Sequence, residues 1–297
     1  MDLGNTVINP NDGGVYKIVK WLGSGKFGEV YLTDYTAKDA SNSEQVALKK
    51  IALHGMDEEE KEKCKEEAKV MKKISESSTN QHIVKYFDSF MITEVKSPSR
   101  GDLYIAMNYC SRGDLSSKIK ANIKSGTHFE PKIIYDYIYQ IADGINELHI
   151  KYKIAHRDLK PANILITWEN RKEVLKISDF GLVKVIATLN ITQSHSKQCG
   201  TPLYMSPEQY TLTPCRLYVV DIWAIGIIFY ELCIAPKKLD NDEILDLRGK
   251  IMNEQRVNLP NQYSETDTTW LNEMITKNPS ERMSAEQVRD EAKGKPF

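Results

Sequence analysis

Cysteine is scarce in this sequence, with five among 297 residues: Cys64, Cys110, Cys199, Cys215 and Cys233. No two form a C-x-x-C pair and the count is odd. That excludes a disulfide framework or a thiolate zinc site as the organising principle and fits free thiols in a reducing compartment. Net charge is scarce too: 40 Lys and Arg against 41 Asp and Glu leave −1. Such a chain has no bulk attraction for nucleic acid, so no direct nucleic-acid partner is expected, although a local basic patch is compatible with it. Long apolar runs are absent. The longest, 219–235, is interrupted by Asp221 and Glu231 and falls short of the ~20 residues that span a bilayer. It reads as a buried helix, and no membrane partner is expected. Met1-Asp2-Leu3-Gly4-Asn5 has neither an apolar signal core nor the glycine directly after Met1 that myristoylation needs. The expected location is the cytoplasm, with the nucleus equally compatible. Internal repeats and low-complexity tails are also missing.

What is present is an ordinary globular composition, 41% hydrophobic, in a length that suits one large domain or two small ones. Residues 1–14, polar and rich in Asn and Gly, read as a flexible lead-in. Alternation over 16–22 predicts a strand. Gly23-Ser24-Gly25-Lys26-Phe27-Gly28 follows, then Val30-Tyr31-Leu32, a second strand. Glycines so spaced let backbone lie close over phosphates. A dinucleotide-binding turn would need a helix next, so a hairpin is the better reading, and a plain Gly-rich turn is the bland one. Residues 46–51 are a third strand. Its Lys49 follows three apolar residues and either enters a cleft or sits in solvent as strand lysines usually do. A helix dense in Glu and Lys covers 57–74, with Ala68, Val70, Met71 and Ile74 on one packed face. Two more strands, 83–87 and 103–107, flank a turn at 97–101.

The second half is helical over 133–150, 221–232, 242–253, 268–276 and 284–292, with a short hairpin begun by Leu165 and Ile166. Within it lie two chemistry-bearing runs, His156-Arg157-Asp158-Leu159-Lys160-Pro161-Ala162-Asn163 and Asp179-Phe180-Gly181. The first offers Asp158 as a base, Lys160 as a positive point charge and Asn163 as a metal ligand. The second offers the carboxylate of Asp179 to Mg²⁺, a hard cation that prefers oxygen. A positioned hydroxyl, a neutralised γ-phosphate and a fixed metal are the requirements of phosphoryl transfer. Residues 182–200, polar with several Ser and Thr, read as a mobile loop.

The order of these motifs from about Tyr16 to about Ala292 resembles the eukaryotic-type protein kinases. The resemblance implies an α+β, bilobal fold: a small five-stranded antiparallel sheet lobe with one main helix, and a larger, mainly helical lobe. Residues 15–297 would form the domain, with lobes of about 15–108 and 111–297. It implies ATP and Mg²⁺ as cofactors. Gly23, Gly25, Gly28 and Val30 would cover the nucleotide, with Ala47 and Leu165 enclosing the adenine. Met107 would be the gatekeeper, and backbone groups of Asn108 and Cys110 would face the adenine edge; most kinases of this pattern have Glu in place of Asn108. Asp114 would touch the ribose or cap the following helix. Lys49 would hold phosphates and Glu67, or the adjacent Glu66, would hold Lys49. Asp158 would orient the acceptor hydroxyl, Lys160 would steady the γ-phosphate, and Asn163 and Asp179 would bind Mg²⁺. Asp221 would anchor the catalytic loop, and Glu208 with Arg282 would form a buried structural pair.

Lys160 with Gly200-Thr201 is similar to the serine/threonine type, so the partner is a protein with a Ser or Thr acceptor. Arg157 would pair with a phosphate on the 182–200 loop, at Ser196 first or Ser194, while Thr201 would contact substrate. Two branches are suggested. Residues 179–183, 204–209 and Asp246-Leu247-Arg248 resemble the kinases of translation initiation factor 2, whose alpha subunit would then be the substrate. The hinge and Gly113-Asp114-Leu115 resemble the NIMA-related kinases. Rival readings are a catalytically silent nucleotide-binding scaffold and a kinase of small alcohols or sugars.

Overall fold

The computed structural model describes residues 6–25, 28–94, 97–179, 184–185, 201–211 and 217–295. The chain forms two compact units. One comprises Met1–Thr79 with Val84–Ser111, the other Asn80–Ile83 with Arg112–Phe297.

The first unit holds one antiparallel sheet: β1 (Thr6–Ile8), β2 (Val15–Gly25), β3 (Gly28–Thr36), β4 (Glu44–Ala52), β5 (Tyr86–Glu94) and β6 (Ser97–Asn108), in the order β1-β2-β3-β4-β6-β5. Six strands stand where five were expected. The extra one comes from the supposed lead-in: Val7 pairs with Tyr16 and packs on a cluster of Tyr16, Val46, Leu48, Phe90, Tyr104 and Ala106. Asn9, buried, fixes the turn by donating from Nδ2 to Asp88 Oδ2 at 2.6 Å. Two more boundaries differ from expectation. Residues 97–101 open β6 rather than forming a turn, and Pro98 falls where the register with β5 slips between Thr93 and Glu94, a place that tolerates a missing N–H. The strand expected at 83–87 starts later, at Tyr86. Ile83 instead bridges Ile177 in the second unit, where His82 O accepts the Ile177 N–H at 2.9 Å.

The one helix of this unit among the described residues, α1 (Glu58–Ser77), begins at a capping box made by Asp57 and Glu60 and carries Glu58, Glu59 and Glu60 in its first turn, where carboxylates meet the positive end of the helix dipole. Cys64, Glu67, Ala68, Met71 and Ile74 form its buried stripe.

The second unit is mainly helical: α2 (Leu115–Ser125), α3 (Pro131–Ile150), α4 (Pro207–Thr211), α5 (Tyr218–Ile234), α6 (Asn241–Met252), α7 (Glu265–Met274) and α8 (Ala285–Gly294). A hairpin of β8 (Ile164–Glu169) and β9 (Lys172–Ile177) turns on Asn170 and Arg171, both at positive φ, the signature of a type I′ turn. β7 (Ile154–Ala155) pairs with β10 (Lys184–Val185). The apolar run singled out in the sequence is α5, buried from Val220 to Ile234. Its Gly226 permits the close approach of Met274 and Ile275, since a Cβ there would lie 2.5 Å from Ile275 Cγ2. No helix among the described residues is long and apolar enough to cross a membrane. Cys64, Cys110 and Cys233 are buried and form no disulfide.

Glu208 and Arg282 meet as expected, with Nη1 to Oε1 at 2.5 Å and Nη2 to Oε2 at 2.9 Å, both side chains almost wholly buried. The guanidinium also donates to Thr276 O and Val219 O and lies over Trp223. Arg282→Met should strand a buried carboxylate and cost about 3–5 kcal/mol, read as a fall in the urea midpoint. A loss under about 1 kcal/mol would contradict a structural role for the pair.

Candidate active site

In the first unit, β4 sends Val46, Leu48 and Lys50 to one face and Ala47, Lys49 and Ile51 to the other. The register places Val30 and Ile105 opposite Lys49, and Leu32 and Met107 opposite Ala47. Directly opposed residues share a face, so Val30, Ala47, Lys49 and Met107 line one surface. Lys49 Nζ reaches Glu67 Oε1 at 2.7 Å and both side chains are buried. Glu66, the adjacent alternative, is exposed and pairs with Lys69 at 3.2 Å. Gly23 pairs with Val30 and Gly25 with Gly28, which establishes the hairpin. Gly28 is required by packing: at φ +140°, a Cβ would fall 2.0 Å from Lys50 O. Gly23 is not, because a Cβ there meets nothing within 4 Å. It leaves open backbone.

Asn108 does something its sequence position did not disclose. Its N–H donates to Lys85 O and its Oδ1 accepts the Lys85 N–H, both at 2.9 Å. The carboxamide therefore seals the end of β6 against residue 85, a job Glu could not do with the same short reach. Cys110 is buried.

In the second unit, Asp221 at the start of α5 has no solvent exposure. Its Oδ2 accepts the His156 N–H at 2.9 Å and His149 Nε2 at 2.8 Å, and its Oδ1 accepts the Arg157 N–H at 2.8 Å. Burial alone would push this carboxyl's pKa up. The hydrogen bond and electrostatics of His149, aided by His156 and the Arg157 N–H, hold it below the usual range. Arg157 takes a left-handed backbone, φ +69°, a conformation that a non-glycine residue keeps only where neighbours over-determine it.

The pinned loop presents Asp158. Lys160 Nζ donates to Asp158 Oδ2 at 2.7 Å and to Thr201 Oγ1 at 2.7 Å, and the Thr201 hydroxyl donates to Asp158 Oδ1 at 3.0 Å. Asn163 Nδ2 donates to Asp158 O at 2.8 Å. The Asn163 carbonyl accepts the Ser178 N–H at 2.9 Å and its hydroxyl at 3.0 Å. Buried His156 closes the circuit: its Nε2 bonds Ser178 O at 3.0 Å, so that nitrogen carries the proton and Nδ1 faces Asp158 N. Asp179, next to Ser178, stands at φ +62°. Asn163 and Asp179 are thus tethered through one residue. Phe180, Gly181, Ser194 and Ser196 lie outside the described residues.

Asn163 commits its Nδ2 to Asp158, which leaves its oxygen as the free donor type, and Asp179 adds a carboxylate. Among the described residues no cluster of three or more His, Cys, Asp or Glu could hold a metal. An all-oxygen, partly amide donor set fits Mg²⁺, which keeps several waters, and suits softer metals poorly.

Asp114 caps α2: its Oδ1 accepts the Ser117 N–H at 2.8 Å and its Oδ2 the Ser117 hydroxyl at 3.0 Å. It also bridges Leu165 across the backbone. Just before α4, Ser206 donates from N and Oγ to Gln209 Oε1, and Gln209 Nε2 donates to Arg157 O at 3.4 Å. Arg248, on α6, is half-buried. It turns back onto the carbonyls of Pro202 and Met205.

Residues 16–292 match the family described as Protein kinase domain. The chain belongs to the protein kinase family. Among similar kinases, human serine/threonine-protein kinase Nek5 is 31% identical over 274 residues, covering 92% of this chain and 35% of Nek5. Probable serine/threonine-protein kinase nek2 of Dictyostelium discoideum is 31% identical, covering 92% of this chain and 61% of its own. Serine/threonine-protein kinase nekl-2 of Caenorhabditis elegans is 32% identical, covering 90% and 70%. This kinase chain therefore spans roughly a third of the first relative and three fifths of the second. The relatives favour the NIMA-related half of the resemblance. They give no support to initiation factor 2 alpha as the substrate.

One buried contact was not visible in the sequence. Tyr204 OH donates to Glu231 Oε2 at 2.7 Å, and Glu231 is buried in α5. Burial raises the Glu231 pKa to about 7, against smaller opposing effects of Tyr204 and Lys120. A folded pKa above the ordinary 4.5 means that the native state binds the extra proton. This contribution to stability is complete below about pH 4.5 and is lost as pH rises toward 7. Glu231→Gln should flatten that part of the urea midpoint against pH over 5–7. An unchanged slope would place the titration elsewhere.

Proposed function

We propose that the chain transfers the γ-phosphoryl group of ATP to Ser and Thr hydroxyls of proteins, with Mg²⁺ held by Asn163 and Asp179. The observation that carries this reading is the Asp158 carboxylate, fixed between an ammonium and a hydroxyl on a backbone anchored by Asp221. Asp158 receives the acceptor hydroxyl, aligns its lone pair and takes its proton as the bond to phosphorus forms. Lys160, already charged beside it, offsets negative charge on the transferred group. Lys49, oriented by Glu67, binds the α- and β-phosphates. Mg²⁺, when bound, draws charge from the phosphate oxygens. No covalent enzyme intermediate is needed.

The pairing of Lys160 with Thr201 supports a Ser/Thr acceptor, as do the relatives' names. A silent scaffold is disfavoured because Lys49, Asp158, Asn163 and Asp179 are all present, and Lys49 and Asp158 already have their supporting partners. Asp158→Asn keeps the shape and removes the base. Turnover on a generic Ser/Thr peptide mixture should fall by roughly 10²–10⁴, with ATP affinity retained by calorimetry. Undiminished transfer by the Asn variant would end the assignment.

A further inference from the structure

Arg248 was conspicuous in the sequence and is left without a task by the catalytic groups above. It lies on α6 beside the buried stripe of Ile244, Leu247 and Ile251. Its Nη2 donates to Pro202 O at 2.5 Å and to Met205 O at 2.7 Å. Its guanidinium sits 4.6 Å from the ring centroid of Tyr210, whose hydroxyl donates to the same Pro202 O at 2.6 Å. Pro202–Tyr204 is a single 3-10 turn that begins at Thr201, with the Tyr204 N–H on Thr201 O at 2.9 Å. Thr201 in turn bonds Lys160 and Asp158.

These bonds form a short mechanical chain. The carbonyls of Pro202 and Met205 are gripped by one cation on α6, and that of Pro202 also by one hydroxyl on α4. The residue at the start of that turn touches the catalytic carboxylate. A turn of this kind has few internal bonds, so its position is set by what grips its ends. Charged donors to carbonyls are among the stronger hydrogen bonds, and stacking on an aromatic ring restricts the guanidinium further.

We propose that Arg248 is a positioning residue for the acceptor peptide. It holds the 202–205 backbone where a protein substrate lies, and it does not act on the nucleotide. This rests on residues 201–205 being the peptide side of a phosphotransferase site, so wild-type transfer is the control for that reading. The expected loss is confined to peptide recognition, because Arg248 meets Pro202, Met205 and Tyr210 and none of the groups assigned to the nucleotide.

The test is steady-state kinetics with ATP and a Ser/Thr peptide that the wild-type protein phosphorylates. Arg248→Met should raise the peptide KM about tenfold, ~1.4 kcal/mol, with the ATP KM unchanged. Arg248→Lys can bring one ammonium to the carbonyls but cannot stack as a plane, so it should recover part of the loss. Tyr210→Phe deletes only the second donor to Pro202 O. It should raise the peptide KM by about threefold and add little on top of Arg248→Met, since the two share an acceptor. If Arg248→Met does not fold, Arg248→Lys and Tyr210→Phe decide alone. A wild-type peptide KM in Tyr210→Phe and Arg248→Lys would overturn the proposal, as would peptide and ATP KM values rising together.

Discussion

Asp221 has no contact with water, yet it keeps its charge because each of its oxygens meets a donor. Two of those donors are consecutive backbone N–H groups, of His156 and Arg157. A loop backbone held at two adjacent amides has little freedom left, and Arg157 is bent into the left-handed region as a result. Asp158 inherits its place from that bend. The anchor comes from α5, buried from Val220 to Ile234, so the rigidity of the core is passed to the Asp158 side chain.

From Asp158 the constraint spreads in two directions. One runs through Asn163 and Ser178 to Asp179, with His156 bonding both the loop and Ser178. The other runs through Thr201 into the turn held by Tyr204, Tyr210 and Arg248. The first direction joins two oxygen-bearing side chains, Asn163 and Asp179, and the second joins Asp158 to the 202–205 turn. Charge is placed in the same economical way: Lys160 serves both Asp158 and Thr201, and in the first unit Lys49 is held by a glutamate on the buried stripe of α1.

Much of this was legible because phosphoryl transfer demands particular residue types at close spacing. Asp158, Lys160, Asn163 and Asp221 stand where the motifs put them, and Glu67 is chosen over Glu66 by the same helical stripe that buries Met71 and Ile74. Six of the helices were read to within three residues at either end, while the five-residue α4 was missed. What escaped was long-range. Val7 looked like lead-in because its partner Tyr16, and the cluster on which it packs, reveal nothing until the sheet forms. The Asn108 carboxamide bonds residue 85, and Tyr204 meets a glutamate 27 positions away. Arg248 stood out only as part of a resemblance, whereas its geometry serves the chain's own backbone. No periodicity encodes such contacts.

The dependence of the loop on one carboxylate can be watched directly by amide hydrogen exchange at His156 and Arg157. If Asp221 pins both amides, they exchange only through global unfolding, and Asp221→Asn, with a single accepting oxygen, releases at least one of them while α5 stays protected. Rapid exchange of both amides in the unaltered protein would contradict the account, for the catalytic loop would then owe its shape to something else.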